Sequence, residues 1–239
     1  MRAKKILSYV FYTACILMIS ILIFLGVSPS INLTYTVTVI MSAIAIILLI
    51  FANIIRFSYV TEINERVKTV RISVWILFVF YSAFLLILLF LSFRAIRSHI
   101  SYAEYFRTNT NFIPFKEVLD LYENFIQGNF SYAMWMLLGN LFAFAPMAFF
   151  IPVLFKKITN LKRFAVLLLS MITGVEILQF ITRRGSFDID DIILNFLGVI
   201  AAYIFMQTKY INNILNRLYI TTDLSEQFKS DSVKRREYI

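Results

Sequence analysis

Six runs of apolar residues, each close to or longer than the ~20 residues a helix needs to cross a hydrocarbon core, leave this chain little choice of fold. They read as Ile6–Val27, Tyr35–Ile55, Ile72–Phe93, Tyr132–Phe155, Phe164–Thr182 and Ile192–Gln207. Lipid offers the backbone no hydrogen bonds, so each run must satisfy its own peptide groups as a helix. Composition agrees. Of 239 residues, 60% are hydrophobic and only 15% charged, more apolar surface than a water-soluble globule could bury. The expected fold class is an all-α integral membrane protein with six transmembrane helices. Met1-Arg-Ala-Lys-Lys opens like a signal peptide, but the run behind it is too long and no small-x-small cleavage site follows. The first helix is expected to be retained.

The net charge of +9 is mostly topology. Arg2, Lys4 and Lys5, the loop with Arg56, Arg66, Lys68 and Arg71, the loop with Lys156, Lys157, Lys162 and Arg163, and the segment after Gln207 share one side of the membrane. Together they hold seventeen of the 23 basic residues. The other side has only Arg94, Arg97, Arg107, Lys116, Arg183 and Arg184. That bias puts both termini in the cytoplasm of a multi-pass protein in the cell membrane and removes nucleic acid as a partner. Two loops, Arg94–Ser131 and Arg183–Asp191, then face outward. In the longer one Phe115, Val118, Leu119, Tyr122 and Ile126 recur at helical spacing, with Pro114 suited to the first helical position and Gly128 to the end. An extracytoplasmic amphipathic helix is expected there, between the third and fourth spans, lying at the membrane surface. The organisation expected is residues 1–71, an N-terminal pair of transmembrane helices with a cytoplasmic loop; 72–208, a second membrane domain; and 209–239, a cytoplasmic tail, polar from Thr221 onward.

Several chemistries are excluded. Cys15 is the only cysteine and lies in an apolar run, so no disulfide framework or thiolate metal site exists. His99 is the only histidine, which removes paired-His zinc sites; it reads as an interfacial side chain. What remains is polarity inside the spans, where it is expensive. Glu176 lies about seven residues, ~10 Å, below the outer end of the fifth helix, and Gln179 and Arg183 share its face. Asp188, Asp191 and Asn195 repeat that spacing at the start of the sixth helix. Gly198 and Ala202 continue the stripe as a small-residue seam for a neighbouring helix. Asn140 enters the fourth span at similar depth.

Each feature also has a plain structural reading. Asp188 or Asp190 can cap the sixth helix, Asn140 and Asn195 can be interhelical glue, and Arg183 and Arg184 can be ordinary interface residues. Glu176 is harder to dismiss, because a buried carboxyl needs a partner, a proton or a wet cavity. No cofactor is expected, although Asp188, Asp190 and Asp191 offer oxygens that a divalent cation could use.

Arg107-x-x-x-Asn111-x-x-Pro114-Phe115, Asn140 followed by Pro146, Glu176-x-x-Gln179, and Asp188-x-x-Asp191-x-x-x-Asn195-x-x-Gly198 together resemble the VanZ-like family, over about residues 72–205. That family often has Gly-Arg ahead of the aspartates, where this chain reads Arg183-Arg184, and commonly Thr where Phe196 stands. Either arginine can be the equivalent one. The resemblance implies an integral membrane protein of a bacterial cell envelope linked to glycopeptide (teicoplanin) resistance, and leaves its molecular activity open. One reading is a binding site for an anionic or lipid-linked envelope component, held by Arg107, Asn111, Asn140, Gln179, Arg183, Arg184 and Asn195. A second is an enzyme acting on a lipid-linked cell-wall precursor or polymer, with Glu176 as general acid or base and Asp188 and Asp191 orienting the site. A third, weaker reading is a small transporter, against which no broken helix is apparent in the sequence.

Overall fold

The computed structural model describes residues 2–27, 35–91, 101–155, 157, 158, 160–218 and 220. His99 and the tail from Thr221 lie outside them. Among the described residues six helical segments are long and apolar enough to cross a membrane, as expected. The chain divides into two compact units, Met1–Ile87 with Lys209–Ile239, and Leu88–Thr208.

The first unit is built on helices α1 (Arg2–Val27), α2 (Tyr35–Phe57) and α3 (Ile63–Leu86). Cys15, Ile19 and Leu22 on α1 meet Ala45 and Leu49 on α2, with Phe80 of α3 completing the cluster. These positions recur at i, i+4 and i+7, the stripe that one helix presents to another. Ala45 and Ala52 are almost fully buried, which lets the two backbones come close. Most other large side chains of α1 and α2 are exposed, as lipid-facing residues should be. A polar network that the spacing argument did not single out ties the three helices. Tyr12 donates to Asn53 Oδ1 (2.8 Å), Ser73 donates to the same oxygen (3.1 Å), and Arg56 Nε donates to Thr69 (2.7 Å).

The second unit contains α4 (Tyr102–Thr108), α5 (Lys116–Ile126), α6 (Phe130–Ala143), α7 (Met147–Leu154), α8 (Leu161–Ile181) and α9 (Ile189–Met206). Two-residue strands β1 (Thr110–Asn111) and β2 (Phe187–Asp188) pair in parallel. Helices α8 and α9 form an antiparallel hairpin whose far end is set by Phe164 stacked on Tyr203, ring centroids 4.4 Å apart. Phe164, Leu168 and Ile172, one face of α8, are almost fully buried. The close approach expected at Gly198 occurs, and the neighbour is α6. A Cβ built there would sit 1.7 Å from the Leu141 carbonyl oxygen, so only glycine fits this crossing.

Two details depart from the sequence reading. The fourth span is broken: α6 stops at Ala143 and α7 begins at Met147. Pro146 has no N–H to continue the ladder and its ring opposes the carbonyl one turn back. Tighter bonds, Ala145 to Phe142 and Met147 to Phe144, bridge the interruption. Second, Pro114 lies outside α5 instead of opening it. Phe115 takes the N-cap place in a left-handed conformation (φ 66°), because the helix start is held from outside by a side chain of α9.

Candidate functional site

The link between α8 and α9 is where the polar residues gather. Helix α8 ends in a Schellman turn: Arg184 N–H bonds back to Gln179 O (2.9 Å) and Arg183 N–H to Phe180 O (3.0 Å). This turn needs its first residue past the cap in the left-handed region, and Arg183 supplies it with φ 53°. Its guanidinium lies 3.6 Å from the ring centre of Tyr102 on α4 and 5.7 Å from that of Tyr105. Arg184 donates to Phe90 O at 2.6 Å, and Gln179 donates to Leu89 O at 3.0 Å. Both acceptors belong to a π-helical turn, Ile87–Leu91, whose wider ladder releases carbonyls for outside donors. Gln179 and Arg184 thus complete the backbone of another span.

Opposite them lie the acids. Asp188 caps α9, accepting the Asp190 N–H at 2.8 Å, as the structural reading anticipated. Its two oxygens also face the Asn111 amide at 3.0 and 3.2 Å. Asp190, fully buried, accepts the backbone N–H groups of Phe115 (2.5 Å) and Glu117 (2.7 Å). A residue of α9 therefore caps α5. With Tyr105 OH bonded to Gly185 O and Phe187 N–H to Asn109 O (2.9 Å), the segment from α4 to α5 is strapped across the start of α9. Asp191 accepts from the Asn140 amide, which joins α6 to the same place. Asn195 donates to Asp191 O at 2.7 Å; its own Oδ1 is buried and accepts no hydrogen bond among the described residues.

Glu176 is buried, 4% exposed. It follows Phe164 by twelve residues and Asp191 precedes Tyr203 by twelve, so with equal rise along both helices the two acids lie at one level of the hairpin. Arg107 is not brought to the aspartates. It is exposed on α4 and lines an open groove of about 900 Å³ with Ser101, Glu104, Phe106, Thr110 and Phe112.

Glu117 was not singled out from the sequence, yet it joins the acids. Its backbone N–H is held by Asp190, and burial first, then the negative charges of Asp191 and Asp188, push its carboxyl up to about 8. A Glu in the first turn of a helix reads as a dipole partner, and nothing local says that other acids sit beside it. Helix α4 and its tyrosines were missed too, although Ser101-x-x-Glu104 is a capping-box signal; Ser101 does accept the Glu104 N–H at 3.2 Å. Among the described residues no group of three or more His, Cys, Asp or Glu side chains is arranged to hold a metal ion.

The VanZ/LLP1 family model matches residues 78–210, from within α3 to just past α9. No curated protein and no solved structure matches the chain.

Proposed function

Since the chain belongs to the VanZ/LLP1 family, we propose that it contributes to glycopeptide (teicoplanin) resistance in a bacterial cell envelope by binding an anionic or lipid-linked component in the outer leaflet. The observation that carries this reading is Arg107. It is exposed, forms no ion pair among the described residues, and lines a groove together with the exposed rings of Phe106 and Phe112. An exposed guanidinium fork in a groove that also has aromatic lining suits a phosphate or carboxylate attached to a saccharide or lipid. Arg184, anchored on Phe90, is a second cation on the same strapped segment's neighbour.

The acids favour binding over turnover. Asp188 and Asp190 spend their oxygens on N–H donors that hold the fold of the site, a scaffolding role. The test is to express Arg107→Ala and Arg184→Ala in a susceptible host and to assay the purified chains on vesicles carrying a polyprenyl phosphate. Each should weaken vesicle binding about tenfold and lower resistance, as expected for one lost charge-assisted contact. Wild-type binding by both variants would refute the reading.

A second reading, an enzyme that modifies a lipid-linked cell-wall precursor with Glu176 as general acid or base, draws on the matched level of Glu176 and Asp191. Glu176→Gln and Asp191→Asn strains would then accumulate a precursor, whereas unchanged pools with lost resistance favour binding.

A further inference from the structure

The groove that holds Arg107 also holds a carboxylate. Glu104 stands one turn before Arg107 on α4, and both residues are exposed and line the groove. Side chains three residues apart on a helix start about 5–6 Å from each other, close enough to pair. These two do not pair: among the described residues neither side chain makes an ion pair or a hydrogen bond. The remaining polar lining is divided in the same way. Ser101 Oγ accepts the Glu104 N–H (3.2 Å), which leaves its O–H to donate. Thr110 Oγ1 donates to Phe106 O (2.7 Å), which leaves its lone pairs to accept. Phe106 and Phe112 add two exposed rings with centroids 6.4 Å apart, and ring faces attract cations. A ligand with only an anion would answer Arg107 and be repelled by Glu104.

We propose that this groove binds a lipid headgroup carrying both a phosphate and an ammonium, the phosphate on Arg107 and the ammonium beside Glu104. This deepens the binding reading above and rests on it, since Arg107 is the anion site in both. An ethanolamine phosphate suits the spacing, because a two-carbon arm joins its charges and one helical turn separates the two side chains. The Ser101 hydroxyl supplies a donor for the phosphate, and Thr110 Oγ1 an acceptor for the ammonium. The surface next to the groove favours the bilayer as the source of the ligand. Ile113 and Phe115, just past the lining residues, and Leu119 and Tyr122 on α5 are all exposed. They belong to the segment that joins the third and fourth candidate spans, Ile63–Phe90 and Phe130–Leu154. Large apolar side chains exposed together beside a membrane span suit the boundary between headgroups and acyl chains. A lipid seated there keeps its chains against this surface and its headgroup in the groove.

Matched lipids separate the two charges. Purified full-length chain in an uncharged detergent is titrated with short-chain phosphatidylethanolamine and with phosphatidylglycerol of the same chain length. The two share phosphate and acyl chains and differ in the ammonium. Glu104→Gln alters an exposed side chain that bonds to nothing else among the described residues, so α4 should stay folded. It should bind the ethanolamine lipid about fivefold more weakly than the wild type and phosphatidylglycerol no more weakly. Arg107→Ala should weaken both lipids. An ethanolamine-lipid affinity unchanged by Glu104→Gln, or both lipids weakened alike by it, overturns the proposal. If Arg107→Ala still weakens both lipids in that case, the anion reading stands and only the ammonium falls. If Arg107→Ala binds both as tightly as the wild type, the two readings fall together. Soluble phosphoethanolamine has the same charges and no chains, and should compete at least about tenfold more weakly than the lipid. Equal competition would make the ligand a soluble one and overturn the lipid source.

Discussion

Arg183 holds a backbone conformation that costs an ordinary L-residue about 1 kcal/mol or more and costs glycine almost nothing. Its left-handed φ is imposed by the Schellman turn, which closes α8 whatever residue stands there. Cation–π contact with the exposed ring of Tyr102 offsets part of the strain, about 0.5–1 kcal/mol. Arg183→Ala should lose the contact and keep the strain, while Arg183→Gly loses both. The glycine variant is therefore expected to be the more stable of the two by about 1 kcal/mol, the reverse of their order inside a helix. Denaturant titration of the two purified chains checks this. Asp188, Asp191, Asn140 and Asn195 were legible as a group because helical spacing and depth select them. Glu117 was not legible, because its significance lies in neighbours more than seventy positions away.

Among elements, α5 shows most plainly how a local pattern and a distant contact divide the work. Its apolar spacing and the left-handed Gly128 at its end are readable in the sequence. Its beginning is set by Asp190. Asp190→Ala leaves two amides, Phe115 and Glu117, without their acceptor and should destabilise the α5 segment by about 1–3 kcal/mol. Hydrogen exchange confined to α5, with α1 and α2 unchanged, is the expected signature. The crossing of α6 and α9 gives a second test. At Gly198 an added methyl collides with backbone of Leu141, which cannot turn aside as a flexible side chain would. Gly198→Ala should therefore lower stability by about 1–3 kcal/mol or more. Gly139→Ala and Gly174→Ala meet open space and should lose nothing, gaining up to about 1 kcal/mol from helix propensity. Thermal unfolding in one detergent would rank the three.

For the whole molecule, the distribution of basic residues predicts which loops face outward. In a chain with Cys15 replaced, Ser186→Cys in the α8–α9 link should react with a membrane-impermeant thiol reagent on intact cells. Ser58→Cys, exposed in the turn between α2 and α3, should stay unlabelled until the cells are opened. The opposite pattern would move the polar centre to the cytoplasmic side and end the case for an outer-leaflet ligand. The two units carry their polarity differently. In the first, Tyr12, Asn53 and Ser73 bond to one another and join three helices. In the second, carboxylates bind backbone, and they do so at helix ends.

The sequence by itself determined the number of spans, their helical state and the set of acids and amides that had to avoid lipid. Those follow from the length of apolar runs, the absence of hydrogen-bond partners in hydrocarbon and a period of 3.6 residues, all of them local. It also contained Pro146, whose missing N–H breaks the fourth span, although the apolar run passes through it undisturbed. Only the tertiary structure decided what each polar residue touches. It turned Asp190 from a candidate ligand into the cap of α5, set Gln179 and Arg184 on the carbonyls of a π-helical turn, and left Arg107 facing outward. It set the Glu117 N–H on the Asp190 carboxylate. The physical reason is range. Hydrophobic spacing is felt within one or two turns, whereas a hydrogen bond needs two groups within about 3 Å, and only the folded path of the chain supplies that.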